Sequence, residues 1–261
     1  MKKPLIVLAL LASFQVADAQ SNVNSAAKAV ESALAASQNE KKATKVATWM
    51  KLAQTYVDAY GAPAGNVWIG ADMNALQLSM GGEKPSSVET VTLNGAQYTK
   101  QIYENKNLYF NANGQLSVIE IVKPVVENAL PKALEAYKKA YELDEKHSKD
   151  KDISAGIKTI SEKLNQEAYN AYTLGDVKKA EEYFEAAYEA AAQKPYAQID
   201  TNSLYNAAFT SWSTENFSKA KTMFDKCLGY GYYGDGGEVF ATLSVCVSHI
   251  DTTAAGKSAA K

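Results

Sequence analysis

Two stretches of this chain carry the same apolar pattern forty residues apart. Leu164, Ala168 and Tyr172 lead through Gly175-Asp176 to Ala180, Phe184 and Ala187. Leu204, Ala208 and Trp212 lead through Asn216-Phe217 to Ala220, Phe224 and Cys227. In each block apolar residues recur at three- and four-residue steps on both sides of a turn signal, which predicts a pair of amphipathic helices. Such a pair cannot bury its own apolar face, so repeated pairs are expected to stack. Small residues at Ala53, Ala133, Ala168, Ala180, Ala208 and Ala220 let helices approach closely, and nearby aromatics fill the space between them.

A third pair is divided. ALPKALEAYKKAYELD, Ala129 to Asp144, has the pattern of a second helix, yet the stretch before it, QLSVIEIVKP, is strand-like and ends in Pro124. The nearest mate is KVATWMKLAQTYVDAY, Lys45 to Tyr60. Trp49, Leu52, Ala53 and Tyr56 are expected to meet Ala133, Tyr137 and Ala140. The pattern Trp49-x2-Leu52-Ala53-x2-Tyr56, followed much later by Ala133-x3-Tyr137, Ala140 and Leu143-Asp144, resembles a tetratricopeptide repeat, with Ala in place of its small Gly. The downstream blocks resemble the same family, although their spacing exceeds the usual figure of about 34 residues. The extra length is expected in the helices or in the connection QKPYAQIDTN. Tyr172 and Trp212 sit one place later than the family's aromatic.

The expected fold class is mostly α, a tetratricopeptide-repeat helical solenoid with a small antiparallel β-meander inserted between the two helices of the first repeat. The expected units are residues 20–44 as an N-terminal capping region, 45–60 with 129–147 as the split first repeat, and 61–128 as the insertion. A second repeat follows over 153–193, a third over 197–230, and an incomplete fourth repeat or tail over 236–261. Ala255 and Ala259 keep the repeat spacing but put a small residue where a large one belongs. The tail is therefore expected to be either a weak cap or the point where a longer array breaks off.

Gly61 to Asn128 differs in character. Gly and Pro cluster around one possible helix, Asp72 to Met80. β-Branched and aromatic runs then alternate with Asn94-Gly95 and Asn113-Gly114, strong hairpin signals. Four strands are expected, near Val88 to Leu93, Gln97 to Tyr103, Asn107 to Asn111 and Gln115 to Val122. So small a sheet is marginal alone and should pack on the helices, either as a binding element or as a stabilising lid.

The chain opens with MKK, then LIVLALLASF, then Ala17-Asp18-Ala19. A basic start, a short apolar run and an A-x-A site predict a secretory signal peptide over residues 1–19, and so an exported protein. Removing Lys2, Lys3 and Asp18 leaves the charges near balance, and the chain contains no Arg. Without a basic stripe or the planar guanidinium fork, nucleic acid and nucleotides are not expected partners. Cys227 and Cys246 are the only cysteines. They either pair in an oxidising compartment or serve as small core residues.

No catalytic constellation emerges. His147 lies among interleaved acids and lysines at a helix end, the pattern of a solvated terminus. His249 has no candidate nucleophile at a motif spacing. Gly256 to Ser258 matches the end of a phosphate loop, but Asp251 stands where the earlier Gly is required. Asp144 with Glu145, and Glu181 with Glu182, are adjacent on helices and do not face each other. No enzyme, metal or cofactor is expected.

What the resemblance implies is a groove lined by first helices. It points to Asn165, Tyr169 and Tyr172 in one repeat, flanked by Glu162 and Thr173, and to Asn202, Tyr205, Phe209 and Trp212 in the next, flanked by Ser213. Amides and rings of this kind suit an extended peptide; the alternative is that Tyr172, Phe209 and Trp212 are core. With the insertion and phrases such as YAQIDTNSLY and YGYYGDGG, nearly the whole mature chain is similar to tetratricopeptide-repeat proteins of the Bacteroidetes cell envelope. That resemblance implies a periplasmic or outer-membrane-associated scaffold with a protein or peptide partner. A glycan-binding accessory protein of a polysaccharide-uptake system, with Trp68 or Trp212 in its site, and an inert or truncated spacer are the alternatives.

Overall fold

The computed structural model describes residues 23–81 and 83–259, with side chains as far as residue 251. The expected signal peptide and the Gly256 to Ser258 side chains lie outside the described residues. The described residues are mostly helical, with one small four-stranded antiparallel sheet. Among them, no helix is long and apolar enough to cross a membrane.

Helices α1 (Val23–Gln38) and α2 (Glu40–Ala43) lead into α3 (Val46–Gly61). The short α4 (Met73–Ser79) and strands β1 (Ser87–Leu93), β2 (Ala96–Ile102), β3 (Lys106–Phe110) and β4 (Leu116–Ile121) come next. Then follow α5 (Ala129–Leu143), α6 (Asp150–Thr173), α7 (Val177–Ala191), α8 (Thr201–Ser213), α9 (Phe217–Gly229) and α10 (Glu238–Ala259). Helix α3 packs against α1 and, although the strands separate the two in sequence, directly against α5; from α5 onward each helix packs on the next. Leu52, Ala53, Tyr56, Ala133, Tyr137 and Ala140 are buried in one core with Trp49 against it, so the expected mates do meet. The Trp49 indole N–H also donates to the Ala43 carbonyl at 2.7 Å, tying α3 to the turn before it.

Local chemistry accounts for the helix ends. Asp72, Asp176 and Asp200 each stand just before a helix and accept a backbone N–H three residues on, at 2.9, 3.0 and 3.0 Å. Pro131 falls in the first turn of α5, where a missing N–H costs nothing. The forty-residue spacing resides mainly in the long Ala192 to Asp200 connection, which folds back through Gln198 N–H to Ala191 C=O at 2.8 Å.

In the sheet, order β1-β2-β3-β4, Leu93 pairs with Ala96 across Asn94-Gly95. Both turn residues have positive φ, 49° and 82°, as a two-residue hairpin turn requires. The Asn113-Gly114 turn is wider than a two-residue hairpin. There the Asn111 side chain accepts from the Asn113 and Gln115 N–H groups at 3.0 and 3.1 Å, which moves the start of β4 to Leu116. Leu108, Phe110 and Leu116 pack on Val67, Leu76 and Met80 in a small separate core. Buried Lys106 binds Glu83 at 2.9 Å and approaches the Pro63 carbonyl at 3.5 Å, clamping the chain that leaves α3 to the chain entering β1. The sheet lies against the end of α6. The Asn94 amide donates to the Tyr172 and Thr173 carbonyls at 3.0 and 3.2 Å, satisfying C-terminal groups of the helix, and the Asn170 amide donates to the Ile119 carbonyl at 3.1 Å.

Candidate protein-interaction surface

Asn165, Tyr169 and Tyr172 lie on α6, and Asn202, Tyr205, Phe209 and Trp212 on α8. Most of these side chains are engaged with one another or with neighbouring helices. The Asn165 amide donates to Ser203 Oγ at 2.8 Å, and the Asn206 amide donates to Tyr169 Oη at 3.1 Å, so polar stitches join α6 to α8. Tyr169 meets Phe184 edge-on at 5.1 Å. Tyr205 packs on Phe224 at 6.0 Å and on Tyr232 at 5.5 Å, and Phe209 on Trp212 at 5.5 Å. Burial, and then the nearby Glu238 carboxylate, push the Tyr205 phenol up to about 12. Phe209 is only 7 % exposed, whereas Asn202 is open to solvent. Asn165 Oδ1 and Trp212 Nε1 have no hydrogen-bond partner, but both atoms are shut off from solvent, so an incoming peptide would not reach them in this conformation.

An open concavity lies elsewhere, between α3 and α6. A cavity of about 420 Å³ separates α3 from the first turns of α6. Met50, Lys51, Gln54 and Val57 form one wall, Asp152, Ala155, Gly156 and Thr159 the other, and Tyr137 of α5 the floor. Gly156 makes the floor possible, since a Cβ at that position would overlap the Tyr137 ring. The Tyr137 hydroxyl reaches Gln54 Oε1 at 3.4 Å, and the Gln54 amide donates to Asp58 at 2.8 Å. The Tyr137 phenol is raised by burial and then by Asp58 and Asp152. Exposed Lys51 and Asp152 set opposite charges on the two walls, over an apolar floor. That combination suits a peptide segment, with side-chain and backbone polar groups at the rim and apolar area below.

Sequence reasoning missed this cleft for two reasons. The groove positions named on the two downstream blocks correspond along α3 to Ala47, Met50, Gln54, Val57 and Asp58, of which Met50, Gln54 and Val57 line the cleft. The other wall belongs to the start of α6, which lies ahead of the repeated pattern and carries its own spacing, Ile153, Ile157 and Ile160, all fully buried.

Beside the cleft, Tyr60 of α3 donates to the Glu167 carboxylate of α6 at 2.6 Å, with the Lys163 ammonium 5.4 Å from the centre of the Tyr60 ring. Burial raises the Glu167 carboxyl above its usual range, partly offset by the Tyr60 hydrogen bond and by Lys179. Cys227 and Cys246 are both buried free thiols in the core shared by α8, α9 and α10, and burial pushes Cys227 up to about 12. His147 sits at an exposed helix start, 3.3 Å from Asp150, and His249 stacks on Phe217 at 4.2 Å. Among the described residues, no group of three His, Cys, Asp or Glu side chains is placed to hold a metal ion.

Comparison with curated proteins and with solved structures returns no match. The family model described as Tetratricopeptide repeat matches residues 164–194, which cover the second half of α6, the turn at Gly175 and all of α7. A tetratricopeptide repeat is therefore present in this chain, and repeats of that family generally mediate protein–protein interaction.

Proposed function

We propose that the chain is a non-enzymatic interaction scaffold that holds a peptide segment of a protein partner in the cleft between α3 and α6. The observation that carries this reading is the open cavity with an apolar floor and oppositely charged walls, next to a detected tetratricopeptide repeat. The pairs α3/α5, α6/α7 and α8/α9 are taken as three stacked repeats, with Gly61 to Asn128 inserted into the first. Helix α10 begins an incomplete fourth. Asn202 and Tyr205 extend the surface toward α8, and the tightly packed Phe209 and Trp212 belong to its support. The signal-peptide pattern of residues 1–19 and the sequence resemblance favour the periplasm or outer membrane of a Bacteroidetes cell as its location.

The test is capture from cell-envelope extract on the purified chain, repeated with a Gln54→Arg, Thr159→Arg variant that fills the cleft from partly or fully solvent-exposed positions. A partner held by the parent chain and lost from the folded variant supports the cleft; a partner held equally by both sinks it. Trp68, 41 % exposed in the insertion, is the observation that keeps the glycan reading in view. Binding on a glycan array that disappears with Trp68→Ala would favour that reading instead.

A further inference from the structure

The two edges of the sheet are treated differently. β4 is placed against α6, with its Ile119 carbonyl already bonded to Asn170. β1 stands free, with Ser87 to Thr90 and Thr92 exposed and Val88 56 % exposed. Natural edges are commonly blunted by Lys, Pro or a bulge. Pro85 and an irregular bond from Ser86 stand just ahead of the strand, but Ser87 to Leu93 itself contains neither Lys nor Pro, carries one charge, Glu89, and keeps an unbroken register with β2 over all seven positions.

The register also fixes which backbone groups are free. The two-residue turn makes Leu93 and Ala96 a hydrogen-bonded pair, so by alternation Val91, Glu89 and Ser87 also direct their N–H and C=O groups to β2. Just before the strand, Ser86 N–H also turns inward, 2.7 Å from the Ile102 carbonyl opposite Ser87, so the alternation holds from Ser87 onward and is interrupted at Ser86. Val88, Thr90 and Thr92 consequently point their N–H and C=O groups outward. Among the described residues, no hydrogen bond outside the β1–β2 ladder reaches them.

We infer that β1 pairs antiparallel with β1 of a second copy of this chain, centred on Thr90, to make one continuous eight-stranded sheet. The edge is self-complementary in that register. Thr90 faces Thr90 of the other copy across the two-fold axis, and Val88 faces Thr92 in both directions, so all three outward residues exchange both backbone bonds. Glu89, the one charged residue of the strand, meets Val91 and not another carboxylate. The two Glu89 side chains become diagonal neighbours on one face, about 7 to 8 Å apart, and the Lys100 that stands across the ladder from each offsets their charge.

Light scattering or sedimentation of the purified chain should give twice the chain mass. Thr90→Pro removes only an outward N–H and should yield a monomer with an unchanged far-ultraviolet spectrum. Thr90→Cys should give a covalent dimer on mild oxidation, because paired Cα atoms about 5.5 Å apart suit a disulfide. Val88→Cys should not, since it faces Thr92, and the native thiols are buried. If Thr90→Pro fails to fold, the contrast between Thr90→Cys and Val88→Cys decides alone. A parent chain monomeric up to about 0.1 mM, or a dimer that cross-links no better through position 90 than through position 88, overturns the inference.

Discussion

At Gly156 the α6 backbone passes so close to the Tyr137 ring that no side chain fits between them. A glycine inside a helix normally costs about 1 kcal/mol relative to alanine, so Gly→Ala at an ordinary helical site is stabilising. Here the overlap should reverse the sign. Gly156→Ala is expected to lower stability by about 1 to 2 kcal/mol in urea unfolding, as overpacking outweighs helix propensity. A stabilised variant would show that Tyr137 moves aside freely and is not a fixed floor. Glu167 gives a second test. Its carboxyl is raised by burial, so the folded chain binds this proton more tightly than the unfolded chain does. Stability should therefore fall as pH rises from the ordinary glutamate value through the raised one. Glu167→Gln can still accept the Tyr60 hydrogen bond and should be more stable than the parent at neutral pH, with the difference closing below the ordinary glutamate value. Equal urea midpoints at pH 4 and pH 7 for the two proteins would remove the buried-carboxylate assignment.

The helices rest on contacts between small residues. Ala180 and Ala220 are fully buried where successive helices approach, and replacing either with Leu should cost about 1 to 3 kcal/mol, read as a lower thermal midpoint. An unchanged midpoint would mean that the apolar faces are assigned to the wrong residues. Much at this level was legible in the sequence, because it depends on local periodicity. Ala129 to Asp144 announced α5, Lys45 to Tyr60 announced its mate, and Asn94-Gly95 announced the first hairpin. What escaped notice depended on competition or on distance. Asn111 replaces a tight turn with side-chain bonds to the backbone, and no dipeptide signals that outcome. The stitches from Asn165 to Ser203 and from Asn206 to Tyr169 join residues 37 or more positions apart. Whether such an amide faces a ligand or a neighbouring helix is decided only when the helices pack.

At the scale of the whole molecule, the α3/α6 cleft sets a polar rim over an apolar floor between two helices that otherwise pack on their neighbours. The cleft and the free β1 edge involve different parts of the chain, so a partner and a second copy could be held independently, and Thr90→Pro should leave partner binding intact. The most direct measurement is calorimetric titration of the captured partner's binding segment into the parent chain and into Gln54→Arg, Thr159→Arg. A protein that uses this cleft should lose at least about tenfold in affinity, close to 1.4 kcal/mol, while its unfolding midpoint stays near that of the parent. Equal affinities for the two folded proteins would contradict the assignment of the cleft as the binding surface.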